Sequence, residues 1–332
     1  CNVLSRFAAL CLSGEDMPKP APAARLLRAR TISALSLLFL ASAGGSAGAV
    51  ESTMMLYALG SGALGAGLTA PDGFYFTTIG VYNQWRASKD IPFGGITVKA
   101  DVSMPVALGS MMFVVPGEIL GGRLSVAATA GFGNIKINAG LDSPNLAKST
   151  QGWGGADTTV KTSLGWSVTP SFSHKVSVTT FLPTGRYEKG FNPNVGLNRF
   201  GADFSWGATY LDPNVGLELS GSVGYTLEGY NGLTSYRSGN AFHFEEGIAQ
   251  HFANGLQIGV LSYQYTQSSP DGGSGAKLGP IKTRAVGVGA SLGYTTMVGG
   301  HLVIFNTQVT RDIAVADRLR GTGGVIATTV KF

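Results

Sequence analysis

Between residues 199 and 210 polar and apolar side chains alternate one for one. Arg199, Gly201, Asp203, Ser205, Gly207 and Thr209 share one face, and Phe200, Ala202, Phe204, Trp206, Ala208 and Tyr210 the other. The next segment repeats the pattern, with Glu218, Ser220, Ser222, Gly224, Thr226 and Glu228 opposed by Leu217, Leu219, Gly221, Val223, Tyr225 and Leu227. A period of two is that of an extended strand with two chemically different faces. From Phe74 onward Gly, Pro, Asn and Asp divide the chain into twelve such segments: 74–86, 96–113, 122–138, 156–168, 171–183, 198–211, 215–228, 239–252, 256–268, 282–296, 301–312 and 323–332. Pro105 and the pair Gly131 and Gly133 are expected to interrupt the second and third, since proline cannot donate to a ladder and glycine weakens one.

Alternation alone fits a soluble sandwich as well as a closed barrel in lipid. Connection lengths separate the two. Tight turns at Thr169-Pro170, Asp212-Pro213-Asn214, Ala253-Asn254-Gly255 and Val298-Gly299-Gly300 take turns with longer polar connections at 185–197, 229–238, 268–281 and 313–323. Short turns on one side and long loops on the other are the habit of barrels threaded through an outer membrane, and an even strand number leaves both termini on the short-turn, periplasmic side. Composition agrees. The chain has 332 residues, 49 of them Gly, and only 13% are charged. Its mean hydropathy is +0.18, yet past residue 49 no apolar run approaches the roughly 20 residues of a spanning helix. A barrel reconciles the two, because only alternate residues face lipid. Tyr75, Trp85, Trp166, Trp206, Tyr210 and Tyr294 lie towards strand ends on the face assigned to lipid, as interfacial girdles do. The last strand ends on Ile326, Thr328, Val330 and Phe332 of one face, resembling the terminal signal read by the outer-membrane assembly machinery.

The first 49 residues read as export information. Arg25, Arg28 and Arg30 precede an apolar stretch over 32–43, and cleavage is expected after Ala49. Residues 1–16 fit no signal region, so Met17 is the expected start; an unusually long signal is the alternative. Residues 50–73 form a short periplasmic or lumen segment and 74–332 the barrel. Both cysteines, Cys1 and Cys11, precede the cleavage point, which excludes disulfides, cysteine zinc sites and thiol catalysis from the mature chain. The net charge of +5 includes the discarded arginines, and no basic cluster with interleaved aromatics points to nucleic acid.

No nucleophile or metal motif stands out: there is no Gly-x-Ser-x-Gly with matching Asp and His, and no His-Glu-x-x-His. No enzymatic activity, cofactor or metal is expected. The polar face instead carries charges of both signs, Arg86, Lys99, Asp101, Lys161, Lys175, Arg199, Asp203, Glu218, Glu228, His243 and Glu245, as candidate lumen-lining residues. His243 and Glu245 share that face and are capable of proton transfer; the plainer reading is a hydrogen-bonded wall. Opposite charges across a narrow lumen pair and partly plug it, since unpaired charge in a small interior is costly.

Ala70-Pro71-Asp72-Gly73-Phe74-Tyr75, Ile119-Leu120-Gly121-Gly122, Gly155-Ala156-Asp157-Thr158, Phe181-Leu182-Pro183-Thr184-Gly185-Arg186-Tyr187, Tyr236-Arg237-Ser238-Gly239 and the stretch 263–267 together, in this order, resemble the outer-membrane transporter family named for the meta-pathway of phenol degradation. The resemblance implies an outer-membrane barrel related in idea to the long-chain fatty-acid channels, passing hydrophobic or aromatic compounds. It brings no substrate-contact residues. The expectation is therefore an all-β, antiparallel transmembrane barrel of about twelve strands in the outer membrane of a Gram-negative bacterium. It would admit small hydrophobic or aromatic solutes passively, with outer-membrane lipid and, through Phe332, the assembly machinery as partners. A recognition barrel without transport and a general porin are the alternatives. Residues 51–69 are too short for a plug domain, but their Gly-Ser-Gly-Ala-Leu-Gly-Ala-Gly stretch is long enough to thread the lumen as a small gate.

Overall fold

The computed structural model describes residues 54–86, 91–93, 96–141, 147–190, 193–276 and 280–332, with backbone alone for 91–93, 96–99, 139–141, 147 and 148. The expected export signal, residues 50–53 and the side chain of Lys99 therefore lie outside the described residues. Sixteen strands follow one another among the described residues: β1 (Gly73–Arg86), β2 (Ile91–Phe93), β3 (Ile96–Val114), β4 (Arg123–Leu141), β5 (Ala147–Gly155), β6 (Thr158–Thr169), β7 (Phe172–Leu182), β8 (Gly201–Leu211), β9 (Leu217–Glu228), β10 (Tyr230–Asn231), β11 (Tyr236–Arg237), β12 (Ala241–His251), β13 (Leu256–Gln267), β14 (Arg284–Val298), β15 (His301–Ala316) and β16 (Arg320–Lys331).

Twelve of these close into one antiparallel barrel in the order β3-β1-β16-β15-β14-β13-β12-β9-β8-β7-β6-β4, sealed by β3 against β4. The seam between first and last strands runs from Tyr75 opposite Lys331 to Arg86 opposite Arg320. Closure leaves no edge whose backbone would face lipid unpaired. The remaining four strands are extensions: β2 folds onto the end of β3, β5 continues the line of β6 along β4, and β10 with β11 make a small hairpin within a loop.

Pro105 and Gly131 interrupt less than expected. Pro105 stays opposite Tyr82 of β1. On the β4 side the ladder lapses between the pairs Ser103–Lys136 and Val106–Gly133, then resumes in the same register. One missing N–H removes a rung; nine residues of β3 on either side of Pro105 keep the alignment.

The short connections, 170–171, 212–216, 252–255 and 299–300, lie at one end of the barrel, with the turn 115–122. The longer ones, including 183–200, 229–240 and 268–283, lie at the other. Loop length makes the first end periplasmic and the second extracellular. One expected long loop shrinks: β15 runs on to Ala316 and β16 begins at Arg320, so 313–323 is mostly strand around a turn with Asp317 at φ 56°.

The two faces sort as alternation dictates. Phe204, Trp206, Tyr210, Val223, Ile248, Val260, Tyr294, Val309 and Ile326 stand on the outside, each more than 40% exposed. Asp203, Glu218, Thr226, Glu228, His243 and Glu245 point inward, none more than 3% exposed. Two aromatics break the expected girdle. Tyr75 is 2% exposed and donates its hydroxyl to Pro71 O at 2.6 Å, and Trp85 packs against the apolar cluster inside the mouth. A shift of one residue in the alternation of β1 accounts for both, and it also puts Arg86 on the outer wall.

A lipid-facing outer surface makes a direct prediction. Val223→Lys, at the middle of β9, is expected to lower unfolding free energy in bilayers by about 2–4 kcal/mol, whereas Thr234→Lys in the β10–β11 loop stays within about 0.5 kcal/mol. Denaturant titration in phospholipid vesicles measures both, and equal small effects would contradict the placement in lipid.

Candidate functional site

The lumen is occupied by the chain's own N-terminal segment. Upstream of β1 the backbone turns back into the barrel, so residues 54–69 run through it from the extracellular rim, where Arg199 donates to Met54 O at 2.7 Å, to the periplasmic end, where Lys175 Nζ donates to Leu68 O at 2.9 Å. Strand parity does leave the start of β1 and Phe332 on the periplasmic side. It misses this reversal, which carries Met54 to the opposite end.

A segment with so little regular structure leaves its backbone N–H groups in need of partners away from water. The wall supplies acceptors. Glu245 takes the N–H of Gly60 at 2.7 Å and that of Gly62 as well. Glu218 takes Gly65 N–H at 2.6 Å, and Thr209 Oγ1 takes Gly67 N–H at 2.9 Å. From the other side Gln308 donates to Gly60 O at 3.0 Å and Ser222 to Gly62 O at 2.9 Å. Carboxylates that would be costly to bury alone thus receive charge-assisted hydrogen bonds. The glycine-rich sequence permits the fit. Gly60 and Gly65 adopt φ of 87° and 60°, which only glycine takes without strain. Wall glycines match them: a Cβ at Gly207 would run into Ala66, and one at Gly247 into Leu64.

The lumen charges pair locally. Arg199 Nε lies 2.9 Å from Glu228 Oε2. His243 Nε2 lies 2.8 Å from Asp203 Oδ2, which also accepts from Thr226, and the imidazole stacks on Tyr57 at 3.6 Å between centroids. His251 Nε2 lies 2.6 Å from Glu218 Oε2. Asp203 rather than Glu245 is therefore the partner of His243. Lys161 and Lys175 face inward from β6 and β7, as their register with Thr179 and Gly207 requires. Arg86 and Asp101 do not line the lumen: they form an ion pair of 2.7 Å on the outer wall, one residue out of phase with the inward Trp85.

Sequence reasoning passed over several lumen groups. Thr209 and Gln308 carry no charge and so gave no signal. Asp312 falls at the register shift facing Gly287, where it accepts from Tyr263 Oη at 2.7 Å and Gly321 N–H at 2.6 Å. Tyr57, stacked on His243, lay in a stretch with no periodicity to read.

At the extracellular end the lumen closes on an apolar cluster. Met54 and Leu56 of the segment meet Val102, Ile135, Ile137 and Phe181 of the wall and Val195 and Leu197 of the loop after β7, all buried. Asp157 places that loop, accepting from Gly185 N–H at 2.8 Å and Leu197 N–H at 2.7 Å. Burial raises the Asp157 carboxyl above its ordinary range, while these two donors and Arg199 pull it down. The motifs quoted above are mostly joints of this kind. Asp72 pairs with Arg123 at 2.9 Å. Ile119 and Gly122 exchange backbone bonds. Tyr236 Oη donates to Asp271 at 2.6 Å, which with burial holds that hydroxyl protonated well above its ordinary range.

The family described as "Putative MetA-pathway of phenol degradation" matches residues 60–327. The chain belongs to that family. Among solved structures it resembles an outer-membrane channel from Pseudomonas putida F1, with TM-score 0.62 at 14% identity over 80% of this chain and 97% of that one. A FadL homologue from Pseudomonas aeruginosa aligns at TM-score 0.39 and 8% identity over 79% of this chain and 90% of that one. The toluene transporter TbuX from Ralstonia pickettii aligns at 0.33 and 11%, again over 79% and 90%. At those two scores the likeness bears no argument. No curated protein matches the chain in sequence. Family and fold together make this phenol-degradation family member an antiparallel outer-membrane β-barrel of a Gram-negative bacterium.

Removing Glu245 leaves two segment N–H groups without an acceptor. Glu245→Ala is expected to cost about 2–4 kcal/mol of stability and to raise maleimide labelling of a cysteine placed at Ala63, a fully buried position, by about tenfold or more. Residues 50–332 contain no cysteine, so a chain made from residue 50 onward offers no competing thiol. Unchanged labelling would mean that Glu245 does not hold the segment.

Proposed function

We propose that this protein is an outer-membrane conduit for small hydrophobic or aromatic compounds, gated by residues 54–69. The observation that carries the reading is the asymmetry of the lumen. Below the mouth the segment is bonded to β7, β8, β9, β12 and β15. The inward side chains of β1, β3 and β4, among them Thr77, Ile79, Val81, Leu108, Ser110 and Thr129, stay only half-buried. The mixed apolar and hydroxyl character of that wall suits a small aromatic solute better than a hydrated ion. Its outer end is shut by the apolar cluster in which Met54 and Leu56 take part. An apolar solute can replace such contacts at little cost, because burial of its own surface substitutes for theirs, and passage needs no cofactor, catalysis or energy input. The family description supports the substrate class, and the likeness to the outer-membrane channel from Pseudomonas putida F1 supports transport. Phe332, 62% exposed on the outer face of β16, is the feature offered to the assembly machinery.

A second reading, a recognition barrel without transport, is favoured by the paired charges that fill the remaining lumen. Planar-bilayer recording with liposome uptake of a labelled aromatic compound separates them. Uptake with little ionic conductance is expected for the intact mature chain, and deletion of residues 51–69 is expected to raise conductance by about tenfold or more. Large stable conductance before deletion would indicate a general porin, and silence in both forms the recognition barrel.

A further inference from the structure

The outer wall carries a cationic belt directly above an apolar groove. At the extracellular end the register sets Asp101, Arg86 and Arg320 side by side on β3, β1 and β16. The row beneath runs from Lys136 through Ser103, Gln84 and Thr322 to Arg311. These side chains share the outward face. Arg86 follows the inward Trp85, and Arg320 precedes Gly321, whose own position faces Trp85 and Asp312. Four cations and one carboxylate leave a net charge of +3 spread over five strands, roughly 20 Å of wall at the usual strand spacing.

Asp101 does not balance them, since it is already held by Arg86 at 2.7 Å and Gln84 at 3.1 Å. Arg86 and Arg320 stand directly opposite each other, an arrangement of like charges that destabilises a sheet. Arg320 Nε is buried and has no hydrogen-bond partner among the described residues. A barrel with no use for an anion at this place would gain by replacing either arginine.

One row further down the wall becomes apolar. Tyr82, Phe132, Val309 and Ile326 are each 50% or more exposed, and Trp153 stacks on Phe132 at 5.9 Å. Gly80, Gly133 and Gly324 leave a groove of about 610 Å³ between these side chains. A multiply charged anion-binding belt at the extracellular membrane interface, with an acyl-sized groove beneath it, matches an amphiphile with a phosphorylated head.

We propose that this face binds a phosphate-bearing, multiply acylated glycolipid of the outer leaflet, the lipid A type. A phosphate would seat among Arg86, Arg311 and Arg320, and one acyl chain would lie in the groove. Guanidinium forks match phosphate oxygens bidentately, which a lone ammonium does not. A zwitterionic phospholipid brings no net charge to offset +3. The position at the long-loop end selects the outer leaflet.

The test titrates the mature chain, refolded in neutral detergent, with bis-phosphorylated lipid A, with lipid A stripped of both phosphates, and with phosphatidylethanolamine. Bound lipid is read by native mass spectrometry. Lipid A is expected to bind at least about tenfold more tightly than either control, and the combined Arg86→Gln, Arg311→Gln and Arg320→Gln variant to lose about tenfold or more of that affinity. Lys282→Gln, at the same rim on another side of the barrel, is expected to change nothing. Should the triple variant not refold, Arg311→Gln alone, exposed and free of tertiary bonds among the described residues, is expected to lose about threefold. Equal binding of the stripped lipid, or wild-type binding by the variants, would overturn the proposal.

Discussion

The structure depends on a mutual neutralisation inside the barrel. Lipid outside forces every wall backbone group into the ladder, so the lumen is the place where unpaired polarity collects. Into it fall two sets of groups that could not be buried separately: carboxylates at Glu218, Glu228 and Glu245, and the N–H groups of an irregular segment from Leu56 to Gly67. Set against each other they satisfy both demands, Glu245 alone holding Gly60 and Gly62. The segment needs glycine to present its backbone at such short range, and the wall needs glycine at Gly201, Gly207 and Gly247 to admit it. What reads as low complexity in the sequence is a surface matched at both sides.

The same pairing explains how closure and release can coexist. The segment's middle is fixed by several short hydrogen bonds to charged groups, while its outer end combines the apolar packing of Met54 and Leu56 with one bond from Arg199 to Met54 O and a long one from Leu56 N–H to Glu228. Hydrogen bonds to buried carboxylates are exacting in geometry; apolar contact is not, and another apolar body can take its place. A conduit for hydrophobic solutes follows if the outer end yields while the middle stays. Asp157 then serves as a positioning residue, because it holds Leu197 in the closing cluster through the loop backbone.

Much of the fold was legible because alternation, turn chemistry and connection length all speak the same period-two language. The twelve barrel segments matched the observed strands to within a few residues, even across Pro105. Eight of the eleven lumen candidates face inward. Arg86 and Asp101 do not, since a charge at a strand end above the membrane has no need to hide and the alternation of β1 runs one residue out of phase with the sequence expectation; the side chain of Lys99 lies outside the described residues. The lumen segment was less legible. Glycine-rich backbone carries no face, its partners are more than a hundred residues distant, and two of them, Thr209 and Gln308, are uncharged. Strand parity could place the end of β1 but not the reversal before it.

The central claim is that the outer end of the segment must leave the mouth for solute to pass. Leu56 abuts Gly201, where a new Cβ would lie 3.6 Å from Leu56 Cγ, so cysteines at the two positions are near enough to be cross-linked. The pair Leu56→Cys and Gly201→Cys should therefore lock the gate in a chain made from residue 50 onward, which holds no other thiol. Uptake of a labelled aromatic compound into liposomes, measured oxidised and then reduced, is the most direct test. The account predicts that oxidation abolishes uptake and that reductant restores it; uptake that is equal in both states would contradict it.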